Sequence, residues 1–301
     1  MASGSSYRGR WIQFLIDLLY SPVVLRLSLG RRLLSGVLGW LPAGESLILR
    51  VPEYRMVLYP REDSLARRIV LDGPWEPFET RVFRSLLGPG MRVIDLGANF
   101  GHYSLLAGLA VGPDGRVDAL EPLPANVRTL RINAGLNGLS ALHVHQAACG
   151  DRDGEVDFFP DLDNPGGHSL TQGNTLRGDA PLKVPVFRLD TFLAREAPER
   201  PPHLIKMDTQ GAEAAILRGA EETLIRYRPL LVVEFWPWGL RNSGEQPSRL
   251  PARLEELGYT LSDIREGERE LRETSARELA ERYPDHVDWA FTNLLARPRA
   301  D

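Results

Sequence analysis

Between residues 92 and 264, short apolar runs of strand length alternate with stretches of helical character. That alternation constrains the fold more than any other feature. Arg92–Leu96 (RVIDL), Arg116–Leu120 (RVDAL), Leu142–Ala148, His203–Met207 (HLIKM) and Leu230–Phe235 (LLVVEF) read as buried strands. Between them, a small-residue helix runs to Ala110, and Pro124–Asn137, Glu213–Ile225 and Ser248–Leu257 carry helical spacing. Strands that alternate with helices build a parallel sheet covered on both faces, so an α/β fold is predicted. Tyr259–Ile264 and Asp288–Leu295 are the expected closing strands.

Upstream, Ser46–Tyr59 reads as a small hairpin, and Thr80–Leu87 as a helix stopped by Gly88-Pro89-Gly90. Glu155–Phe159 and Lys183–Phe187 are strands flanking a Gly/Asn/Ser-rich loop at 163–178, a β-rich insertion over about 155–187. A loop of that length in a compact domain is functional or mobile. Residues 1–10 are small and polar and are expected to be disordered.

Residues 11–20 and 23–40 read as two helices parted at Ser21-Pro22, and residues 1–45 as an N-terminal helical extension to a main domain at 46–301. Ile12, Leu15, Ile16 and Leu19 recur at helical spacing. Asp17, Arg26, Arg31 and Arg32 interrupt the apolar run, which argues against a membrane span and against a signal peptide. The first expectation is an amphipathic segment covering the main domain or a partner subunit. The alternatives are a helix lying flat on a membrane, since arginines flank the apolar face, and a targeting segment.

The net charge of −4 excludes a chain that coats nucleic acid, which needs a basic face. Cys149 is the sole cysteine, so there is no intramolecular disulfide framework and no multi-cysteine metal site; a reducing, cytoplasmic setting is expected. No ligand spacing for a metal is present. Only Lys183 and Lys206 among the 36 basic residues are lysines, which makes each of them conspicuous.

Three constellations carry chemistry. The first is the turn after the first strand, Asp95-Leu96-Gly97-Ala98-Asn99-Phe100-Gly101. Gly97 permits a sharp turn and a close approach of ligand, and Gly101 opens the following helix. Asn99 stands where a dinucleotide fingerprint needs its middle glycine, which disfavours a nicotinamide oxidoreductase. Asp95 would repel a diphosphate and welcome a cation. The second is Glu121, at the end of the second strand, where a carboxylate can accept both ribose hydroxyls. Together they suit an adenosyl ligand without phosphates, and S-adenosylmethionine fits.

The third is Lys206-Met207-Asp208-Thr209-Gln210-Gly211-Ala212-Glu213, from strand to helix. Asp208 falls at the carboxyl edge of the sheet, where a transferred methyl group would lie. Lys206, inside an apolar strand, is expected to pair with a carboxylate or contact substrate. Glu213 admits a plain helix-dipole reading, and Gln210 that of a polar loop residue.

With these residues the chain resembles the FkbM family of S-adenosylmethionine-dependent methyltransferases over roughly residues 50–297. The likeness runs through Asp72-Gly73-Pro74-Trp75-Glu76-Pro77-Phe78-Glu79, Asp95 to Ser104, Glu121-Pro122, Asn133, Asn137, Ala147-Ala148, Asp153-Gly154, Lys206 to Glu213, Leu217-Arg218-Gly219-Ala220 and Glu234. Gln210 stands where many members carry glutamate. The resemblance implies a Rossmann-like class I methyltransferase fold with a seven-stranded, mostly parallel sheet. It implies methyl transfer to a hydroxyl of a natural-product, sugar or glycan acceptor.

Glu76, Asp95, Gly97, Asn99, Gly101, Tyr103, Ser104, Glu121, Pro122, Ala147, Ala148 and Asp208 are the expected cofactor residues. Lys206, Asp208, Glu213 and His168 are the expected catalytic group. An alcohol needs a base as its bond to carbon forms, so Glu234 and His102 are further candidates. Trp236 and Trp238 either line the acceptor pocket or pack under a loop, while His143 and His145 read as packing or surface. A binding module that kept the fold without the chemistry is the alternative of another class.

Overall fold

The computed structural model describes residues 7–19, 28–51, 53–73, 75–161, 163–164, 166–176 and 180–299. The expected break at Ser21-Pro22, most of the polar start and Pro74 lie outside them. The chain opens with helices α1 (Tyr7–Leu19) and α2 (Ser28–Gly39), then the hairpin β1 (Leu47–Arg50) and β2 (Arg55–Leu58). Tyr7 to Arg10, expected to be unstructured, form the first turn of α1. Helices α3 (Ser64–Asp72) and α4 (Pro77–Ser85) lead into the main unit.

That unit alternates as expected: β3 (Arg92–Leu96), α5 (His102–Val111), β4 (Arg116–Leu120), α6 (Pro124–Leu136) and β5 (Leu142–His145). After β6 (Ala148–Gly150), β7 (Gly154–Phe158), β8 (Leu182–Arg188) and α7 (Leu189–Arg195) come β9 (Leu204–Met207), α8 (Glu213–Gly219), α9 (Glu221–Tyr227) and β10 (Leu230–Phe235). The chain ends with α10 (Pro237–Asn242), α11 (Arg249–Glu256), β11 (Tyr259–Arg265), β12 (Glu270–Thr274), α12 (Ala276–Arg282) and β13 (Thr292–Pro298).

The main sheet has the order β12-β11-β13-β10-β9-β3-β4-β5. The five strands β5, β4, β3, β9 and β10 run parallel, and β13 is antiparallel to both β10 and β11. Among the described residues it thus holds eight strands where seven are expected. The extra one, β12, is exposed along most of its length and lacks the alternation that marks a half-buried strand. The last strand begins at Thr292, four residues after the expected start at Asp288.

The run Leu142–Ala148 divides. Leu142–His145 joins the main sheet, whereas Ala148–Gly150 pairs with β8 in a separate sheet ordered β6-β8-β7. The chain changes sheets at Gln146-Ala147, beside the cavity described below.

Apolar side chains bury themselves on both sides of the sheet. One cluster joins Val93, Leu105, Val117 and Leu130 to Ile12, Ile16, Leu34 and Leu38, so the N-terminal helices share a core with the main unit. The other gathers Ile94, Ile205, Leu231 and Leu254 on the opposite face. At the far end from the site, Asp118 is buried and bound by Arg92, Arg116 and His145. Burial pushes its carboxyl up, but those three cationic or donating partners outweigh it and hold it far below the usual range.

Candidate active site

Ligands of open α/β sheets collect at the carboxyl ends of strands where the winding reverses. Here β4 leaves β3 on one side and β9 flanks it on the other, so the reversal lies at β3. Gly97, Glu121 and Asp208 each follow the last residue of its strand. Gly97 has φ of +81°, and a Cβ on it would sit 1.9 Å from the Asp208 carbonyl oxygen. The glycine is thus required by the neighbouring backbone, whatever a ligand also needs. Gly101 has φ of +104°, which strains any side-chain-bearing residue, and an added Cβ would also displace Leu130 Cδ1 at 2.2 Å.

Two cavities open at this edge. A narrow slot of about 50 Å³ is lined by Gly97, Asn99, Glu121, Pro122, Ala147, Ala148, Phe158, His168, Leu170 and Asp208, among others. A chamber of about 490 Å³ is lined by Glu76, Asp95, Tyr103, Lys206, Asp208 and Glu234 on its floor, and by Trp75, Trp236, Trp238, Trp289 and Phe291. Gly97, Asn99, Asp208 and Gln210 belong to both, so the two spaces meet there. Glu76, Asn99 and Gln210 all adopt left-handed backbone, at φ of 40°, 50° and 54°, and all line the chamber. Non-glycine residues held in that region cost about 1–3 kcal/mol each and gather at functional sites.

Glu121 is buried, and its two oxygens accept the amides of Asn99 and Leu123, each at 2.8 Å. Burial pushes its carboxyl up to about 7 despite those bonds. Each carboxylate oxygen has two lone pairs, so one per oxygen is left for a hydroxyl donor.

The floor of the chamber is a set of carboxylates around one ammonium. Lys206 Nζ lies 3.0 Å from Asp208 Oδ2, 3.9 Å from Glu79 Oε1, and 4.2 Å from the centre of the Tyr103 ring. Burial alone would lower this ammonium, but Asp208, Glu79, Asp95 and Glu76 outweigh it and hold the charge in place. Tyr103 donates to Glu76 at 3.1 Å, Ser104 to Asp95 at 2.5 Å, and Asn293 to Glu79.

Gln210 donates to Asp208 Oδ1 at 3.1 Å and to both oxygens of Glu234 at 2.9 Å. Its amide thus ties two acids together, which a glutamate in its place could not do without carrying a proton. Burial, reinforced by Asp208 and Glu213, pushes Glu234 well above the ordinary carboxyl value; Glu79 moves the same way through burial and Glu76.

Several expected residues do other work. Glu213 lines neither cavity; its carboxylate accepts from Thr209 N, Thr209 Oγ1 and Gly211 N at 2.8–3.0 Å and braces the turn that carries Gln210. Ser104 and Gly101 likewise line neither, and Ser104 acts through Asp95. His102 sits 2.6 Å from the Tyr54 hydroxyl through Nδ1 and 2.9 Å from Thr80 Oγ1 through Nε2. Thr80 already donates to the Trp75 carbonyl, so Nε2 donates to Thr80 and Nδ1 accepts from Tyr54. Both ring nitrogens are engaged, which removes His102 as a base.

His168 lines the slot; its Nδ1 accepts the Asp161 amide at 2.8 Å, leaving Nε2 as the protonated nitrogen. That tautomer presents Nε2 as a donor, and its one basic nitrogen is already engaged by the Asp161 amide. Burial pushes His102 to about 3 and His168 to about 4. Both rings are therefore expected to stay neutral through pH 5 in an NMR titration; ring shifts titrating near 6.5 would sink the assignment.

By sequence Gln210 reads only as a polar loop residue, and nothing in the sequence assigns a role to Trp289 or Phe291. For Gln210 the signal was its place between two strand-end acids; for the aromatic pair no local signal exists, since only the C-terminal loop before β13 brings them to the chamber.

A doubly wound sheet with a glycine turn after β3 and a glutamate after β4 defines the class, a Rossmann-like α/β fold with a nucleoside-type edge. Residues 95–261, more than half of the chain, match the Methyltransferase FkbM domain, and the chain belongs to that family. It is 30% identical over 154 residues to 2-O-methyltransferase NoeI of Sinorhizobium fredii, covering 46% of this chain and 61% of the relative. It is 28% identical over 148 residues to Methyltransferase 1 of Beauveria bassiana (43% and 58%) and 27% over 200 residues to Methyltransferase sdnD of Sordaria araneosa (56% and 74%). The chain thus spans less than two thirds of the first two relatives. Among solved structures, Methyltransferase FkbM from Methylobacillus flagellatus KT is 16% identical with a TM-score of 0.40, over 76% of this chain and 52% of that one.

Proposed function

We propose that the protein is an O-methyltransferase acting on a hydroxyl of a sugar, glycan or hydroxylated natural product. Its cofactor is S-adenosylmethionine. The observation that carries the reading is the meeting of slot and chamber at Gly97, Asn99, Asp208 and Gln210. The donor set fits the cofactor: Glu121 keeps a lone pair on each oxygen for ribose hydroxyls, and Asp95, Glu76 and Asp208 offer negative charge to a sulfonium and an ammonium.

Bound there, S-adenosylmethionine supplies a methyl group on a positively charged sulfur. The chain's own residues do the rest. Glu121, Ala147 and Ala148 hold the nucleoside end, with Pro122 beside them, and Asp95, oriented by Ser104, takes the amino-acid end. Asp208 Oδ1, at the junction, receives the proton of the acceptor hydroxyl, while Lys206 and Gln210 hold that carboxylate still. The aromatic walls stack on the apolar faces of an acceptor ring and exclude water. The name of the S. fredii relative, a 2-O-methyltransferase, supports oxygen as the acceptor atom.

The test is transfer of labelled methyl from S-adenosylmethionine to a panel of sugars, glycosides and polyketides, with acceptors blocked at each hydroxyl. Label in hydroxyl-bearing acceptors only is the expected result; label on nitrogen or carbon nucleophiles alone overturns it. Glu121→Ala is expected to weaken S-adenosylhomocysteine at least about tenfold by calorimetry, since it removes two charge-assisted bonds. Equal affinity would remove Glu121 from the site. A chain that binds the homocysteine product and transfers to nothing would be the silent binding module.

A further inference from the structure

We propose that the paired N-terminal helices dock on an anionic lipid surface. Helices α1 and α2 press Ile12, Ile16, Leu34 and Leu38 into the main core, yet their opposite side is also apolar. Trp11 is 53% exposed, Phe14 57%, Leu29 66%, Leu33 51% and Trp40 75%. On α2, Leu29 and Leu33 fall at helical spacing, with Arg32 exposed beside them and Trp40 just past the end of the helix. Trp11 and Phe14 meet edge to face at 6.0 Å. Large apolar side chains left in water on a face of the protein mark an interaction site.

Charge selects the partner. Residues 1–40 hold Arg8, Arg10, Arg26, Arg31 and Arg32 against Asp17 alone, five positive to one negative, in a chain whose total is −4. A cationic segment on an acidic protein, with tryptophans and leucines exposed and arginines beside them, matches the interfacial zone of an anionic bilayer. No helix among the described residues is long and apolar enough to cross a membrane, so the contact would lie in the plane of the surface.

The face also bears on the chamber. Arg67 on α3 donates to Ser35 on α2 at 2.9 Å, and Arg31 pairs with Asp72 at 3.5 Å. Residues Ser64, Leu65, Arg68 and Ile69 of the same α3 line the chamber. Docking would therefore set the chamber wall next to lipid and suit an acceptor displayed at a membrane, a consequence that rests on the proposed methyl transfer; the docking itself does not.

The experiment is sedimentation of the full chain with sucrose-loaded vesicles of phosphatidylcholine alone, or with about a third of phosphatidylglycerol, at about 0.1 M and about 0.5 M salt. The expected result is at least about tenfold tighter binding to the anionic vesicles, weakened at high salt. The double variant Trp11→Ala/Trp40→Ala and the single Arg32→Glu should each reduce it about tenfold, with melting temperature and circular dichroism retained and Ile225→Ala without effect. Failure to bind either vesicle overturns the proposal, as does equal binding to both. A concentration-dependent dimer abolished by the double variant, with no vesicle binding, assigns the face to a second copy instead. Loss of methyl transfer alone leaves vesicle binding intact, so the two readings fail separately.

Discussion

Asp208→Asn is expected to lower kcat by about 10²–10⁴ while the protein stays folded, the range over which a positioned base contributes. Asp208 is the acid that belongs to both cavities, and its side chain is 28% exposed. Asparagine keeps the shape but cannot take a proton. Whichever way its amide turns, it presents a donor to Lys206 or to Gln210, so one of two hydrogen bonds is lost at a cost of about 1 kcal/mol. The loss should fall on kcat, with the affinity for S-adenosylhomocysteine changed by less than about fivefold. Single-turnover transfer within about threefold of the parent would move the base to Glu234.

Lys206→Met carries the largest expected effect on stability. The ammonium is buried among Glu76, Glu79, Asp95 and Asp208, with Glu234 nearby. Removing one partner of a buried charge set costs about 3–5 kcal/mol, which for a chain of this size lowers the melting temperature by about 10 °C. The deficit should depend on pH. Burial already raises Glu76, Glu79, Asp95 and Glu234 above their ordinary values, and loss of the cation raises them further. An acid whose folded pKa lies above its unfolded one favours folding while protonated and loses that contribution as the pH rises through the folded value. The gap between variant and parent is therefore widest at pH 8 and narrows toward pH 5. A gap that is equal at both, in thermal melts of the two proteins, would show that lysine matters there for packing alone.

Much of this site was legible because it lies in single turns. The glycine turn, the strand-end Glu121 and the segment from Lys206 to Glu213 each put their chemistry within a few residues of a strand terminus, and the alternation of strand and helix brings such termini to one edge. What could not be read was which acid is spent on structure. Asp208, just after β9, and Glu213, opening α8, are carboxylates of one strand-to-helix connection, yet Glu213 braces backbone amides and Asp208 reaches the cavities. His168 carries the chemistry of a base, and one bond from the Asp161 amide turns it into a donor.

From its sequence alone, the chain is specified as a parallel α/β sheet with an adenosyl-type edge, because strand period, helix period and turn glycines are local properties. Only the tertiary structure decided that Gln210 joins Asp208 to Glu234, that Asn293 reaches Glu79, and that Leu142–Ala148 splits between two sheets. It also decided the eighth strand and the aromatic chamber, whose walls Trp75, Trp236, Trp238, Trp289 and Phe291 come from three separate segments. The reason is physical. A side chain's role is set by the groups that satisfy its hydrogen bonds and charge after burial, and those arrive from far along the chain.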